Sequence, residues 1–234
     1  MGARKADLAS ALDILRTRFG PPERPPTGDP FELILLENVA YLAKPGRRRE
    51  AFEELKRKVG TSPRVLARAS RASLEKIASR GILPAAFAEK LRECARIVLE
   101  EFGGDPAPAL DGTLAAAKKA LRRFPGIGEP GAEKILLFSG RHPFLAPDSN
   151  GLRVLTRLGF AREEKSYAKS YAAARASAAS LPARIPVLQE AHLLLQRHGQ
   201  TLCRRNDPLC ESCPLRKICA YAIEGKRVVR GRRS

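Results

Sequence analysis

No apolar run in this sequence approaches the roughly 18–20 residues that a helix needs to cross a bilayer. A membrane span is therefore not expected. Strand-like alternation of apolar and polar residues is nearly absent, which argues against a β architecture. Acids are in short supply: 25 Asp and Glu face 43 Lys and Arg, a net charge of +18. So large an excess is costly in self-repulsion unless a polyanion uses it. Charge alone does not separate nucleic-acid enzymes from ribosomal or membrane-surface proteins. The first twenty residues, MGARKADLASALDILRTRFG, form an amphipathic pattern containing acids, so neither a secretory signal nor a transit peptide fits. A cytoplasmic, reducing location is the expectation, and the five cysteines are then thiols or metal ligands rather than disulfides.

What is present is helical periodicity. The 234 residues, 44% of them hydrophobic, suffice for one or two domains with a sizeable core. Apolar positions recur at helical spacing from Leu83 to Leu99, and again over Phe31–Leu42, Phe52–Val59, Leu114–Leu121, Lys134–Phe138, Leu152–Leu158 and Ile185–Leu195. Pro and Gly mark loops at 21–30 and 105–108. The Ala/Ser-rich stretch Lys169–Ala183 reads as a helix packed through small residues, and residues 223–234 as a basic, disordered tail that could touch phosphates. No internal repeat is visible.

Three motifs carry chemistry. Four cysteines, Cys203, Cys210, Cys213 and Cys219, fall within seventeen residues, and thiolates held so close need a cation. Zinc sites usually use two Cys-x-x-Cys knuckles and only one is present, whereas an iron–sulfur cluster accepts less symmetric spacing. Cys94, alone on an apolar helix face, belongs to the core. The second motif, LRRFPGIGEPGAEKILLF, is a helix, a Pro125-Gly126-Ile127-Gly128 turn and another helix. Glycines let backbone approach a phosphate, and N–H groups at a helix N-terminus attract anions without reading bases. In isolation such a sequence is simply a tight turn. The third, PDSNGLRVLTRLGF, offers Asp148 or Ser149 as an N-cap, and capping N–H groups keep a carboxylate ionised. Elsewhere, Glu37 interrupts the apolar helix of LILLENVAYL, which is costly unless it faces a groove or a charged partner.

The Cys-x6-Cys-x2-Cys-x5-Cys spacing, the Pro-Gly-Ile-Gly hairpin and the aspartate twenty residues beyond it together resemble the helix-hairpin-helix DNA glycosylase superfamily, that of endonuclease III and its mismatch-specific relatives. The resemblance spans roughly residues 29–219. It implies an all-α fold of two helical domains flanking a DNA-binding groove. A six-helix domain would cover residues 30–142, with the helix-hairpin-helix at about 113–139. Residues 1–29 and 143–222 would form an iron–sulfur cluster domain. The four cysteines would hold a structural [4Fe-4S] cluster, with Arg204 and Arg205 turned toward phosphates. Gly126, Ile127 and Gly128 would clamp a phosphate. The partner would be double-stranded DNA with a damaged or mismatched base, the protein a monomer, nucleoid-associated if bacterial or archaeal.

The same resemblance assigns roles in the chemistry. Asp148 would stabilise the oxocarbenium-like sugar left by the departing base and help to activate water. Glu37 falls where mismatch enzymes carry an acid that protonates the base, partial burial raising its pKa; a structural ion pair is the alternative. Asp148-Ser149-Asn150 is similar to the Asp-x-Asn of the mismatch enzymes. Bifunctional members place a lysine nucleophile two residues after the second hairpin glycine, where this chain has Pro130. Lys134 lies one helical turn further on, either as a substitute amine or, the favoured reading, as a solvated or phosphate-facing cation. Tyr41 and Leu42 occupy the positions of residues that fill the gap left by an extruded base. Fifteen residues follow Cys219, so the additional C-terminal domain of the adenine-mismatch enzymes is not expected. The expectation is a monofunctional glycosylase, with mismatched or deaminated pyrimidines favoured as substrate. The rivals are a bifunctional glycosylase/lyase, a catalytically silent damage-binding protein and a zinc-holding basic module.

Overall fold

A computed structural model of the chain describes residues 7–40, 42–43 and 46–224. Among these residues all regular structure is helical, and no helix is long and apolar enough to cross a membrane. The chain divides into two compact units, one of residues 25–142 and one joining 1–24 to 143–234. Helix α1 (Leu8–Phe19) belongs to the latter. Asp7 caps it by accepting the Ser10 N–H at 2.7 Å, and it buries Leu8, Ala11, Leu12 and Leu15 at i, i+3, i+4, i+7 spacing.

The 25–142 unit follows with α2 (Pro30–Asn38), α3 (Arg47–Lys58), α4 (Pro63–Arg68), α5 (Arg71–Ala78), α6 (Pro84–Glu101), α7 (Leu114–Leu121) and α8 (Glu129–Phe138). Its helix starts are written locally. Asp29, Ser62, Ser70 and Thr113 each accept an N–H of the first turn, and Pro30, Pro63 and Pro84 stand where the missing N–H costs nothing. Phe52, Leu55, Leu66, Leu74, Leu91, Val98 and Leu121 fill its core. Cys94 lies among them, and burial pushes its thiol up to about 12, as a small core hydrophobe.

Two differences from the sequence pattern have physical causes. The periodicity through Leu42 suggests a longer α2, but the helix stops at Asn38. There the Asn38 side chain donates back to the Ile34 carbonyl at 3.1 Å, and Leu42 takes a left-handed φ of 51°. The short α4 and α5 carry too few turns to register as periodicity; their local signals are the serine caps and, for α4, Pro63.

The other unit resumes with α9 (Ser149–Leu158), α10 (Tyr167–Ala176), α11 (Ile185–Thr201) and the short α12 (Ala220–Glu224). The Ala/Ser-rich stretch is α10 followed by a 3-10 turn over Ser177–Ser180. Helices α9 and α11 cross at close range. A Cβ on Gly199 would stand 2.7 Å from Asn150 Cβ and 2.9 Å from the Asn150 carbonyl oxygen, so only glycine permits this approach. Gly199→Ala is expected to destabilise the protein by about 1–3 kcal/mol, read as a lower urea midpoint with unchanged slope.

Candidate active site

The hairpin joins α7 to α8. Gly126 has φ +77°, and a Cβ there would meet Asn38 Oδ1 at 2.7 Å, so both conformation and space require glycine. Asn38 is buried behind it and also lies 3.8 Å from Cys94 Sγ. Ile127 turns its side chain into the core and donates its N–H to the Phe124 carbonyl at 3.2 Å, while Phe124 stacks on Phe102. Ile127 thus anchors the turn, and the exposed groups are Gly126 and Gly128. Gly128 caps α8 with extended backbone and no side-chain hydrogen bond. The first turn of α8 is therefore open at its positive end. Pro130 sits in that turn, where its ring suits the helix and offers no amine. Below it, buried Glu133 accepts from Lys118 Nζ at 2.9 Å, and Lys118 also pairs with Glu129, tying the two hairpin helices together.

In the same unit, Lys134 Nζ lies 2.6 Å from Glu37 Oε1, and Arg48 stands 4.0 Å from Glu37 Oε2. Side chains of Lys134 and Glu37 are 20% and 19% exposed, so this pair is well shielded from water. A carboxylate serving as acceptor to an ammonium is in its ionised form. The geometry is that of the structural ion pair, one of the two readings open for Glu37 in the sequence, and Lys134 is engaged rather than solvated. Arg48 had no signal in the sequence beyond its place in a run of arginines. Leu42 is 67% exposed on its left-handed backbone, an apolar side chain offered to solvent. Tyr41 lies outside the described residues, as does the basic tail from residue 225 on.

Asp148, in the other unit, is the N-cap of α9, and both its oxygens are fully used. Oδ1 accepts the N–H groups of Asn150 at 2.9 Å and Gly151 at 2.8 Å; Oδ2 accepts from Asn150 Nδ2 at 3.1 Å and Gln196 Nε2 at 2.9 Å. Burial pushes this carboxyl's pKa up, but the charge of His192 and the hydrogen bonds from Gly151, Gln196 and Asn150 outweigh it and hold the group below its ordinary value of 3.8. Asn150 faces inward too: its Oδ1 accepts from Arg153, which also donates to the carbonyls of Gly199 at 2.7 Å and Cys203 at 2.8 Å. His192, Gln196 and Arg153 went unread in the sequence. The available signal was the four-residue spacing of His192 and Gln196 on the otherwise apolar face of α11.

The four C-terminal cysteines line one pocket, walled by Val154, Leu158, Leu202, Leu209 and Leu215. All are free thiols. Arg157 donates to Cys203 Sγ at 3.4 Å and to the carbonyls of Arg204 and Arg205, so the loop backbone is held while the Arg204 and Arg205 side chains stay exposed. Burial pushes the Cys213 thiol up to about 11 and raises Cys219. Ligation would have to supply the charge that turns them into thiolates. Zinc would draw all four sulfurs to about 2.3 Å from one point. Among the described residues no three His, Cys, Asp or Glu side chains meet around a single-ion position. Four thiols lining an apolar pocket, with a cationic donor to one sulfur, are a donor set suited to zinc or to a four-thiolate cluster.

Because the folded pKa of Asp148 is depressed, its stabilising contribution is present above the ordinary carboxylate range and is lost as pH falls through the lowered value. Asp148→Asn is therefore expected to flatten the acid side of the stability profile below about pH 4, measured as melting temperature against pH.

No family model matches the chain. It is 25% identical over 205 residues to endonuclease III of Thermotoga maritima, covering 87% of this chain and 89% of that protein. It is 26% identical over 199 residues to a thymine-DNA glycosylase of Aeropyrum pernix, covering 83% and 84%. Among solved structures, a trapped endonuclease III–DNA covalent intermediate superposes with a TM-score of 0.75 at 19% identity, covering 96% of this chain and all of that one. A thermostable thymine-DNA glycosylase gives 0.73 at 18% identity, covering 93% and 97%. The structural likenesses establish the fold.

Proposed function

Because the chain has the fold of the helix-hairpin-helix DNA glycosylases and resembles them in sequence over most of its length, we propose that it is a monofunctional DNA glycosylase. It extrudes a damaged or mismatched base from duplex DNA and hydrolyses the N-glycosidic bond. The observation that carries this reading is the Asp148 carboxylate, kept ionised by four hydrogen bonds at a helix N-terminus. As the C1′–N bond breaks, its electron pair leaves with the base and positive charge grows on the sugar. A fixed negative charge stabilises that state. Water then bonds to C1′ and its proton passes to the departed base anion, so that one neutral free base and one abasic site result.

Two observations favour hydrolysis over lyase chemistry. Pro130 supplies no amine, and the nearby Lys134 amine is held against Glu37 as an ammonium ion. An ammonium has no lone pair with which to attack C1′. The same pairing bears on substrate. With Glu37 ionised between Lys134 and Arg48, a base that leaves well without protonation is favoured. Uracil and thymine spread the developing charge over two carbonyls, whereas adenine needs a proton. Extrusion is also least costly for poorly paired bases, which directs the enzyme to mismatches.

In this reading the open N-terminal turn of α8, with Gly126 and Gly128, takes a phosphate, as do Arg204 and Arg205. Leu42 and Tyr41 fill the space vacated by the base. Cys203, Cys210, Cys213 and Cys219 hold a [4Fe-4S] cluster that supplies a rigid scaffold to the loop. The protein acts in the cytoplasm as a monomer.

Duplexes carrying uracil or thymine opposite guanine test the proposal. Base release should leave strands that break only after alkali, borohydride should trap no protein–DNA adduct, and Asp148→Asn should lower single-turnover release at least about 1,000-fold with DNA binding retained. Adduct trapping, or normal turnover by Asp148→Asn, would refute it. Anaerobically purified protein should be brown, with visible absorption that bleaches on reduction; a colourless protein containing zinc would refute the cluster.

A further inference from the structure

Helix α11 brings two polar side chains to the segment that enters α9. Gln196 donates to Asp148 Oδ2 at 2.9 Å. His192, one turn earlier and almost fully buried, places Nδ1 2.6 Å from the carbonyl oxygen of Ala146. A carbonyl only accepts, so Nδ1 carries the proton of this bond. The pair grips the chain at both ends of Ala146-Pro147-Asp148. Gly199, four residues beyond the end of the apolar run at Leu195, lets α11 come close enough to do so.

An ionised carboxylate has about four acceptor positions. In Asp148 all four are occupied, three by its own helix and the fourth by Gln196. We infer that Gln196 and His192 are positioning residues that fix Asp148 as a permanently ionised stabiliser of the sugar, with no acceptor position left to deprotonate water. This refines the sequence-derived role, in which the same aspartate also activates water, and it rests on the glycosylase reading above. Groups that face Asp148 and bear on its charge come from each packed helix: Arg153 of α9, Tyr167 of α10 and His192 of α11. None of these supplies the hydrogen bond that Gln196 gives to Oδ2.

Two substitutions test the inference on the full-length protein, with a uracil·guanine duplex as substrate and an abasic-analogue duplex as binding probe. Gln196→Leu keeps the volume and removes the donor; single-turnover release should fall about 10- to 100-fold, with probe affinity within about twofold of the parent. Gln196→Glu sets a second carboxyl against Asp148. At about pH 5.5 the two share a proton and the new group still donates, whereas at about pH 8 both are ionised and repel. Release should therefore be near the parent's at the lower pH and at least about tenfold weaker at the higher one, a dependence the parent lacks. Parent-like rates for both variants at both pH values would overturn the inference.

Melting temperatures read the clamp without activity. The carboxyl introduced by Gln196→Glu has a raised pKa in the folded state, so the variant should lose stability relative to the parent as pH rises from about 5.5 to about 8. A difference in melting temperature that does not change with pH would overturn the clamp. If the parent releases no base from any lesion duplex while the melting difference does follow pH, the glycosylase reading fails and the catalytic role of the clamp falls with it.

Discussion

The capping of Asp148 is the interaction on which the proposed chemistry depends. A carboxylate removed from water is unstable unless each acceptor position is met. Here the first turn of α9 meets three and α11 meets the fourth, with His192 adding favourable charge. In the proposed reaction local structure and function are one arrangement: the cap that starts a helix is also the fixed charge that a cationic transition state needs. Its precision comes from packing. Gly199 allows α9 and α11 to approach, and Arg153 fastens Asn150, the Gly199 carbonyl and the Cys203 carbonyl to one guanidinium. The cysteine loop and the aspartate therefore share a support within one unit of the chain.

The 25–142 unit shows a second use of charge. Lys134 and Glu37 are both largely shielded, and each removes the chemistry open to the other alone. In the proposed reaction the lysine is then no nucleophile and the glutamate no neutral acid. The hairpin keeps an anion-attracting helix end, and proline stands at the position where the proposed hydrolytic reaction needs no amine. The buried Glu133–Lys118 pair holds that hairpin together from behind.

Much of this was legible in the sequence, for definable reasons. The helix starts were written as Asp, Ser and Thr caps with prolines behind them, and the four cysteines and the hairpin glycines had spacings few other structures require. The N-cap role of Asp148 was legible because a carboxylate before an apolar helical run is a local capping signal. What escaped were partners supplied by tertiary packing. Gln196 and His192 lie more than forty residues from Asp148, and Arg48 is one arginine in a run of three. Glu37 was ambiguous because sequence shows that a charge is buried but not what neutralises it. The end of α2 at Asn38 was hidden by apolar residues that continue the helical period past the point where a side chain closes the helix.

The most direct test of the central claim is the identity of the products. Mass spectrometry of a reaction on a duplex with a single uracil or thymine opposite guanine should show one free base for each full-length strand, that strand lighter by the base and carrying an intact abasic site. Strands shortened by β-elimination, or an unchanged duplex across mismatched, alkylated and oxidised bases, would contradict a water-using glycosylase built on a fixed carboxylate.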